Sequence, residues 1–346
     1  MSSALAATLD RLLEGQNLAE REAGELLVAL TTPELAPALA GALLAALRAK
    51  GVTAAELRGF ASAMRALARR PVLPAGGPAV DIVGTGGDKS GSFNLSTGAS
   101  LLAAACGLRV VKHGNRSVSS RAGSADVLEA LGLPLPLDEQ RAGQCLAQTG
   151  FTFLFAPHYH PAMKNVAPIR QAMGVRTVFN ILGPLSNPAE PEYHVIGAFD
   201  TATAELMAQA LSGMPLRRAF VVHGAEGWDE PTPVGPFTLY DVTPGNVTRS
   251  VRAPADYGLA TCDSAALAGG DAAYNARELT DVLCGRDRGA HRDALVLSAA
   301  LALEVCGRAA TPREAVALAA RAIDDGAAAE LLRKLARFAA EPGTTA

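Results

Sequence analysis

The sequence predicts two domains, a small all-helical domain over residues 1–70 and a larger α/β domain with a largely parallel sheet over residues 71–346. Residues 1–70 show helical periodicity and contain no run that is typical of a strand. Residues 71–78, PVLPAGGP, are rich in proline and glycine, which predicts a hinge between the domains. Beyond them, short β-rich runs alternate with helical stretches, the pattern of a parallel sheet flanked by helices.

Helix start signals and β-rich runs support this division. Thr53 is followed three residues later by Glu56, which predicts a capping box, and Thr311 and Glu314 repeat the spacing near the C-terminus. Asn17 is the candidate cap of an earlier helix. In the α/β domain we expect strands in the runs AVDIV (79–83), LRVVKHG (108–114), FTFLFAP (151–157), HVIGAF (194–199) and AFVVHG (219–224).

Composition narrows the class of protein. The chain has 346 residues and a formal net charge of −3, so it offers no general attraction to nucleic acid or to an anionic membrane. It contains no apolar run long enough to cross a bilayer, and its first residues lack the pattern of a signal peptide. Its five cysteines are scattered without a CxxC pair, as in cytosolic proteins. We therefore expect a soluble cytoplasmic protein without nucleic-acid or membrane partners.

A glycine-rich turn, GTGG at 84–87, follows the first predicted strand. Ligands of α/β sheets bind beyond the carboxyl ends of strands, and glycine lets the backbone approach an anion closely. The buried helix expected next would present free N–H groups, which bind phosphate. A plain strand-to-helix turn is the alternative, but such a turn does not need the polar residues Asp88, Asn94, Ser96 and Thr97. The spacing matches neither a Walker A loop nor GxGxxG, so we expect phosphate binding of another kind.

A second polar loop follows the predicted strand at 108–114. Its charged and small polar residues are Lys112, His113, Asn115, Arg116, Ser117, Ser119, Ser120 and Ser124. Cations and hydroxyl groups at a strand end suit a polyanionic ligand. The alternative is a solvated basic surface loop, which the density of small polar residues disfavours.

Three further features add candidates. His158 and His160 form an HxH pair, for which packing or hydrogen bonding is favoured over metal binding, because no cysteine or acid is nearby. Arg170 lies in an apolar helical stretch and needs an anionic partner, either a protein carboxylate or a substrate carboxylate. Asp229 and Glu230 follow the predicted strand at 219–224. Facing a polyphosphate they would repel it unless a cation lay between them, and Mg²⁺ resolves that conflict.

Together these segments resemble the anthranilate phosphoribosyltransferase family of tryptophan biosynthesis. The residues that carry the resemblance run in order over most of the chain as GTGGD (84–88), NLST (94–97), KHGNR (112–116), GSADVLEALG (123–132), HPAMKNVAPIR (160–170), RTVFNILGPLSNP (176–188) and DE (229–230). The resemblance implies a nucleoside-phosphorylase-like phosphoribosyltransferase fold and a homodimer. It also implies that anthranilate and phosphoribosyl pyrophosphate react, with Mg²⁺, to give phosphoribosylanthranilate and pyrophosphate.

The resemblance further implies the site residues. Phosphoribosyl pyrophosphate would be bound by Gly84, Gly86, Gly87, Asp88, Ser92, Asn94, Ser96, Thr97, Lys112 and Ser124. Anthranilate would be contacted by Gly84, His113, Asn115, His160, Arg170, Gly183 and Pro184. Magnesium would be ligated by Ser96, Asp229 and Glu230. Lys112 would stabilise the leaving pyrophosphate, Arg170 would pair with the anthranilate carboxylate, and the stretch near 165–188 would pack on the small domain.

Three positions depart from the family pattern. Lys89 stands where a small residue is usual, Pro231-Thr232-Pro233 follows the acidic pair in place of Ile-Ser, and Ser298 replaces a common asparagine. Two other functions are alternatives. A pyrimidine nucleoside phosphorylase shares the fold, and a non-catalytic relative could bind nucleic acid, which the net charge of −3 disfavours.

Overall fold

The N-terminal part of the chain is all-helical, as predicted. The computed structural model describes residues 2–88, 90–117 and 121–341. Within it α1 packs against α3, and α2 packs against α4. The four helices are α1 (Ser2–Leu13), α2 (Glu20–Leu30), α3 (Pro37–Lys50) and α4 (Ala54–Ala66). The apolar side chains of Leu57, Phe60, Ala61 and Met64, which recur at helical spacing along α4, are buried.

The two predicted helix caps of this part have different outcomes. The capping box of α4 is confirmed, since Thr53 Oγ1 accepts from the N–H of Glu56 and the Glu56 carboxylate accepts from the N–H of Thr53. The cap at Asn17 was wrong, because α2 begins at Glu20 with Ala19 at its N-cap. The side chain of Glu22 accepts from the N–H of Ala19 at 2.8 Å, so an acid inside the helix satisfies this end.

The second part of the chain is built on one seven-stranded sheet, in the order β3-β2-β1-β4-β5-β6-β7. Its strands are β1 (Ala79–Gly84), β2 (Arg109–Gly114), β3 (Phe151–Phe155), β4 (Tyr193–Gly197), β5 (Arg218–His223), β6 (Phe237–Thr243) and β7 (Asn246–Arg252). The five predicted strands are confirmed, and they pair in parallel. The strand order reverses between β1 and β4, which is where open α/β sheets bind ligands.

The antiparallel hairpin of β6 and β7 was not predicted. Its two-residue loop is Pro244-Gly245, in which Gly245 has a φ of 75°. A Pro-Gly pair between two alternating runs is a recognised turn signal, so the sequence contained the information.

Helices cover both faces of the sheet. They are α5 (Leu95–Ala105), α6 (Ser124–Ala130), α7 (Glu139–Thr149), α8 (Ala156–Tyr159), α9 (Ala167–Met173), α10 (Phe179–Leu182), α11 (Thr201–Ser212), α12 (Ala272–Leu283), α13 (Ala290–Val305), α14 (Pro312–Asp324) and α15 (Ala327–Ala340). One core contains α5 and α13, and the other combines α11 with the four N-terminal helices. No helix in the described ranges is both long and apolar enough to traverse a bilayer.

Polar contacts connect the helical part to the segment 165–188. Asn165 donates to the carbonyl of Thr31 at 2.7 Å, and the buried Arg65 of α4 donates to the carbonyl of Leu185 at 2.8 Å. Val178 and Phe179 belong to the same apolar core as α4. The domain boundary at residues 70 and 71 and the hinge at 71–78 stay predictions.

A buried carboxylate connects three helices of the N-terminal part. The side chain of Glu56 is 0% exposed and accepts hydrogen bonds from Leu18 N, Thr53 N and Lys50 Nζ at 2.8–2.9 Å. These partners lie before α2, before α4 and at the end of α3. Lys50 is itself only 4% exposed, so each charge is the main compensation for the other.

Substitution of Glu56 should therefore be costly. We expect Glu56→Ala to lower the free energy of unfolding by about 3–5 kcal/mol, because it leaves the buried Lys50 ammonium without its carboxylate partner. The matched control is Glu25→Ala, which removes the exposed pair with Arg21 and should change stability by about 0–1 kcal/mol. Urea unfolding followed by circular dichroism measures the stability of both variants. Equal unfolding midpoints would contradict the role of Glu56 as the partner of a buried charge.

Candidate active site

The glycine-rich turn lies at the carboxyl end of β1 and contacts the acidic pair. Thr85 donates its N–H to the carbonyl of Gly197, and Gly86 donates its N–H to Asp229 Oδ2 at 2.5 Å. Gly86 and Gly87 have φ values of 71° and 74°, a region that favours glycine. The structure thus brings together the glycine turn and an acid that lies more than 140 residues later in the sequence.

The loop after the turn is held by its own side chains. Asp88 Oδ1 accepts from the N–H and the hydroxyl of Ser90 at 3.1 and 3.0 Å, and its Oδ2 accepts from the N–H of Asp229 at 3.3 Å. The Ser90 hydroxyl also lies 3.2 Å from that of Ser92. Lys89, which departs from the family pattern, lies outside the described residues.

The start of α5 brings Asn94, Ser96 and Thr97 to the same edge. The N–H of Ser96 donates to Glu230 Oε1 at 3.2 Å, so an acid lies at the positive end of this helix. Asn94 is held by Asn275 of α12, whose amide donates to its Oδ1 at 2.8 Å. Thr97 is fully buried, and its hydroxyl has no hydrogen-bond partner among the described residues.

Asp229 and Glu230 are unusual acids because little water reaches them. Burial, and then repulsion by Asp88, raise the pKa of Asp229 to about 7. Burial, and then repulsion by Asp229, raise the pKa of Glu230 to about 8. The glycines at the ends of β1 and β4 make room for this segment, since a Cβ at Gly197 would lie 1.5 Å from the carbonyl oxygen of Asp229. Burial and repulsion therefore both disfavour the charged forms of these two carboxylates.

Lys112, on β2, supplies the one buried ammonium group at this edge among the described residues. Its side chain is 1% exposed, and Nζ donates to the carbonyl of Ile82 at 2.5 Å. Burial lowers the pKa of Lys112, and the negative charges of Asp81, Glu230 and Asp229 oppose that shift. The ammonium is therefore held in position before any ligand binds.

The histidines of the site are neutral. Burial lowers the pKa of His113 to about 3 and that of His160 to about 4. The two rings meet edge to face with centroids 5.0 Å apart, and His113 Nδ1 lies 3.2 Å from the carbonyl of Gly183. His158 Nε2 lies 3.4 Å from Glu139 Oε1, so an acid that the sequence did not indicate lies near this histidine. Because His113 is uncharged, it adds no positive charge to that of Lys112, its neighbour on β2.

The remaining members of the second polar loop lie closer to solvent. Asn115 is exposed, and its Oδ1 accepts from the N–H of Arg116 at 2.7 Å. Arg116 pairs with Asp126 at 2.9 Å and donates to Glu129 at 2.7 Å, so its charge is already paired with carboxylates of the protein. Ser124 is half-buried at the start of α6. Ser119 and Ser120 lie outside the described residues.

Arg170 is half-buried on α9 and lacks an ionic partner. Its guanidinium lies 5.4 Å from the centre of the Phe179 ring, and burial lowers its pKa. In the described ranges no carboxylate forms an ion pair with it. Pro184, in the turn that begins at Gly183, is buried. Of the two partners that the sequence allowed for Arg170, the protein carboxylate is therefore absent from these residues.

Two contacts of the site were not predicted. Arg176 donates to the carbonyl of Gly87 and lies 3.9 Å from the centre of the Phe199 ring, which connects the segment after α9 to the glycine turn. Ser298 donates to the carbonyl of Pro231 at 3.3 Å, so two of the three departures from the family pattern contact each other. Both contacts join distant parts of the sequence, and no local signal indicates them.

The family models agree with this architecture. The helical bundle domain of the glycosyl transferase family matches residues 6–68, and the a/b domain of that family matches residues 76–329. The fold and its loops at the carboxyl edge therefore define a glycosyl transferase with two domains.

Comparison with similar proteins identifies the family more closely within the glycosyl transferases. Anthranilate phosphoribosyltransferase of Desulforudis audaxviator is 47% identical over 331 residues, which cover 95% of each chain. The crystal structure of this enzyme from Thermus thermophilus aligns with a TM-score of 0.89 at 42% identity, covering 96% of this chain and 99% of that one. The Saccharomyces cerevisiae enzyme in complex with PRPP and Mg aligns with a TM-score of 0.90 at 25% identity over 98% of both chains. The chain belongs to the anthranilate phosphoribosyltransferase family.

The fit between Gly197 and Asp229 can be tested directly. We expect Gly197→Ala to destabilise the protein by about 1–3 kcal/mol, since the added methyl group overlaps a backbone carbonyl that cannot rotate away. Gly41→Ala is the control, because nothing lies within 4 Å of a Cβ at that helical position. The control should be neutral or stabilising by up to about 1 kcal/mol. Equal urea unfolding midpoints for Gly197→Ala and Gly41→Ala would contradict the close fit.

The buried histidines should make stability depend on pH. His194, buried on β4, has a pKa of about 3, lowered by burial and then by the charge of Arg65. An unfolded chain protonates histidine near pH 6.5, so unfolding takes up protons below that pH and the free energy of unfolding falls as pH falls. Each such histidine contributes a slope of about 1.4 kcal/mol per pH unit.

His194→Asn should therefore reduce this slope between pH 6 and pH 4.5 by about 1.4 kcal/mol per pH unit, and leave the slope above pH 7.5 unchanged. Chemical denaturation at several pH values measures both ranges. An unchanged slope on the acid side would show that His194 is protonated in the folded protein.

Proposed function

We propose that this chain transfers the 5-phosphoribosyl group of phosphoribosyl pyrophosphate to the amine of anthranilate and releases pyrophosphate. The observation that carries the proposal is the meeting of Asp229 and Glu230 with the glycine turn and the start of α5, beside the buried Lys112. The named relatives support it, as does the yeast complex with PRPP and Mg. Family membership favours this reaction over nucleoside phosphorolysis or nucleic-acid binding.

The acidic pair fits a magnesium ion. Magnesium prefers oxygen ligands, and the N–H of the hydroxyl-bearing Ser96 donates to the carboxylate of Glu230, the neighbour of Asp229. Burial, and then repulsion between carboxylates, raise the pKa values of both acids, so a bound cation would favour their charged forms. We propose these three residues as the ligands. When bound, the ion neutralises charge that develops on the departing pyrophosphate.

The donor contacts follow from the loops at this edge. We assign the phosphates to the glycine turn and the start of α5, where the N–H groups of Gly86 and Ser96 donate to Asp229 and Glu230, together with the side chains of Asp88, Ser92, Asn94 and Thr97. Lys112 is already oriented by Ile82, so its charge can stabilise the leaving group without reorganisation. Ser124 would contact the donor from the start of α6.

The acceptor contacts lie on the side of the helical part. We assign the anthranilate carboxylate to Arg170, whose guanidinium has no carboxylate partner in the described ranges. His113, His160, Asn115, Gly84, Gly183 and Pro184 would line the path of the ring. The neutral histidines position the ring and do not act as bases, because an aryl amine already exposes its lone pair at neutral pH. Closure about the hinge at 71–78 would exclude water from the donor.

The direct test is loss of anthranilate fluorescence when the purified chain is mixed with phosphoribosyl pyrophosphate and Mg²⁺. Loss should require all three components. Phosphorolysis of uridine or thymidine, with no loss of anthranilate, would overturn the proposal. We also propose a homodimer in the cytoplasm, and light scattering of the purified protein tests the dimer.

Arg170→Ala should raise the apparent KM for anthranilate at least tenfold and change that for the donor much less, since a charged hydrogen bond contributes about 1.5–3 kcal/mol. Arg277→Ala, at an exposed arginine, is the matched control and should leave both constants unchanged. Steady-state kinetics with each substrate varied in turn gives the values. Equal effects on the two substrates would remove Arg170 from the acceptor site.

The double variant Asp229→Asn with Glu230→Gln should shift the Mg²⁺ dependence of the rate to much higher concentration, because both anionic ligands are lost. Glu226→Gln, an exposed acid on the same loop, is the control and should titrate like the unmodified chain. Initial rates over a range of Mg²⁺ concentrations measure this. Superimposable curves for the double variant and the control would exclude the pair as ligands.

A further inference from the structure

A second group of potential metal ligands lies away from the proposed magnesium site. Glu278 of α12, Asp287 in the loop after it and His291 of α13 each offer one ligand atom, and these atoms lie within 4.8 Å of one another. Among the described residues this is the one such cluster of histidine, cysteine and carboxylate groups. We propose that it binds a divalent transition-metal ion of the zinc class, a function beyond the transfer reaction.

The geometry fits metal coordination better than a hydrogen bond. His291 Nδ1 lies 3.5 Å from Glu278 Oε2 and 3.3 Å from Asp287 Oδ2. Hydrogen bonds between a charged imidazole and a carboxylate are about 2.7–2.9 Å long. Ligand atoms about 2.1 Å from a tetrahedral zinc ion are instead about 3.4 Å apart.

The surroundings orient the three ligands. Asp287 Oδ1 accepts from the N–H of Gly289 at 2.6 Å, which directs its other oxygen to His291. The imidazole packs on Phe93 with ring centroids 4.2 Å apart, and its buried Nε2 has no hydrogen-bond partner in the described part of the chain, so Nδ1 is the nitrogen available to a metal. Such outer contacts hold ligands in place and tune affinity.

The charge balance also favours a cation. Two carboxylates face one imidazole, and the neighbouring arginines are engaged elsewhere, Arg286 with Asp281 and Arg292 with Asp324. An imidazole with carboxylates suits Zn²⁺ and related ions, whereas Mg²⁺ prefers oxygen ligands alone. The two metal sites therefore have different ion preferences.

The position suggests what a bound ion would do. It would join α12 to α13 and fix His291 against Phe93. Phe93 lies in the donor loop between Ser92 and Asn94, and Asn94 is itself held by Asn275 of α12. Metal at this site would therefore stiffen one wall of the proposed donor site.

The test is calorimetric titration of Zn²⁺ into the full chain, freed of metal and kept in excess Mg²⁺. We expect one Zn²⁺ per chain and an increase in the thermal unfolding midpoint. Glu278→Gln and His291→Phe should each weaken binding by at least about tenfold. His291→Phe keeps an aromatic ring against Phe93, and its midpoint without metal checks the fold. Glu205→Gln, at an exposed acid on α11 outside the cluster, should bind like the unmodified chain.

Two results would overturn the proposal. The first is absence of Zn²⁺ binding to the unmodified chain, which would make the cluster a histidine–carboxylate ion pair. The second is equal affinity in the cluster variants and in Glu205→Gln, which would place the ion elsewhere. The double variant at Asp229 and Glu230 keeps the cluster and should retain the Zn²⁺ site, so this result does not depend on the transfer activity.

Discussion

The site depends on the burial of one ammonium group among several carboxylates. Lys112 lies beneath the carboxyl edge of the sheet and faces the charges of Asp81, Asp229 and Glu230. Removing such groups from water costs several kcal/mol each unless opposite charges compensate. Burial is the larger cause of the raised pKa values of Asp229 and Glu230, and repulsion by Asp88 and by Asp229, respectively, adds to it. The charged forms of these acids are therefore disfavoured at this edge, and the magnesium ion that we propose would favour them.

Close backbone approach makes this arrangement possible. The loop that carries Asp229 and Glu230 crosses the ends of β1 and β4. It lies so close to Gly84 and Gly197 that a Cβ at either position would overlap Asp229. The same approach lets Gly86 and Ser96 donate their N–H groups to the acids. These N–H groups thus already have partners in the protein.

The histidines near Lys112 follow a different rule, because burial keeps them uncharged. Burial lowers the pKa values of His113 and His160, and the charge of Arg65 adds to the shift of His113. Arg170 differs from them, because its guanidinium has no carboxylate partner in the described ranges. The acceptor role that we propose for Arg170 uses this uncompensated charge.

The sequence by itself determined the features whose causes are local. Glycines at a strand end, the Thr53 capping box and the alternation of β-rich and helical runs follow from neighbouring residues, and all three were predicted. The acidic pair was predicted at the site from its position after a strand and from the family resemblance, because adjacent acids by themselves are common on surfaces. Asn17 failed as a cap because Glu22, a few residues away, satisfies that helix end instead.

Only the tertiary structure decided which charges persist and where they point. His113 is neutral, Arg116 is occupied by Asp126 and Glu129, and Lys112 is directed at Ile82. Each outcome depends on burial and on partners that are distant in the sequence or on other elements. The ionisation of a side chain and the direction of its hydrogen bonds follow from the groups packed around it, and the order of residues along the chain does not specify that packing.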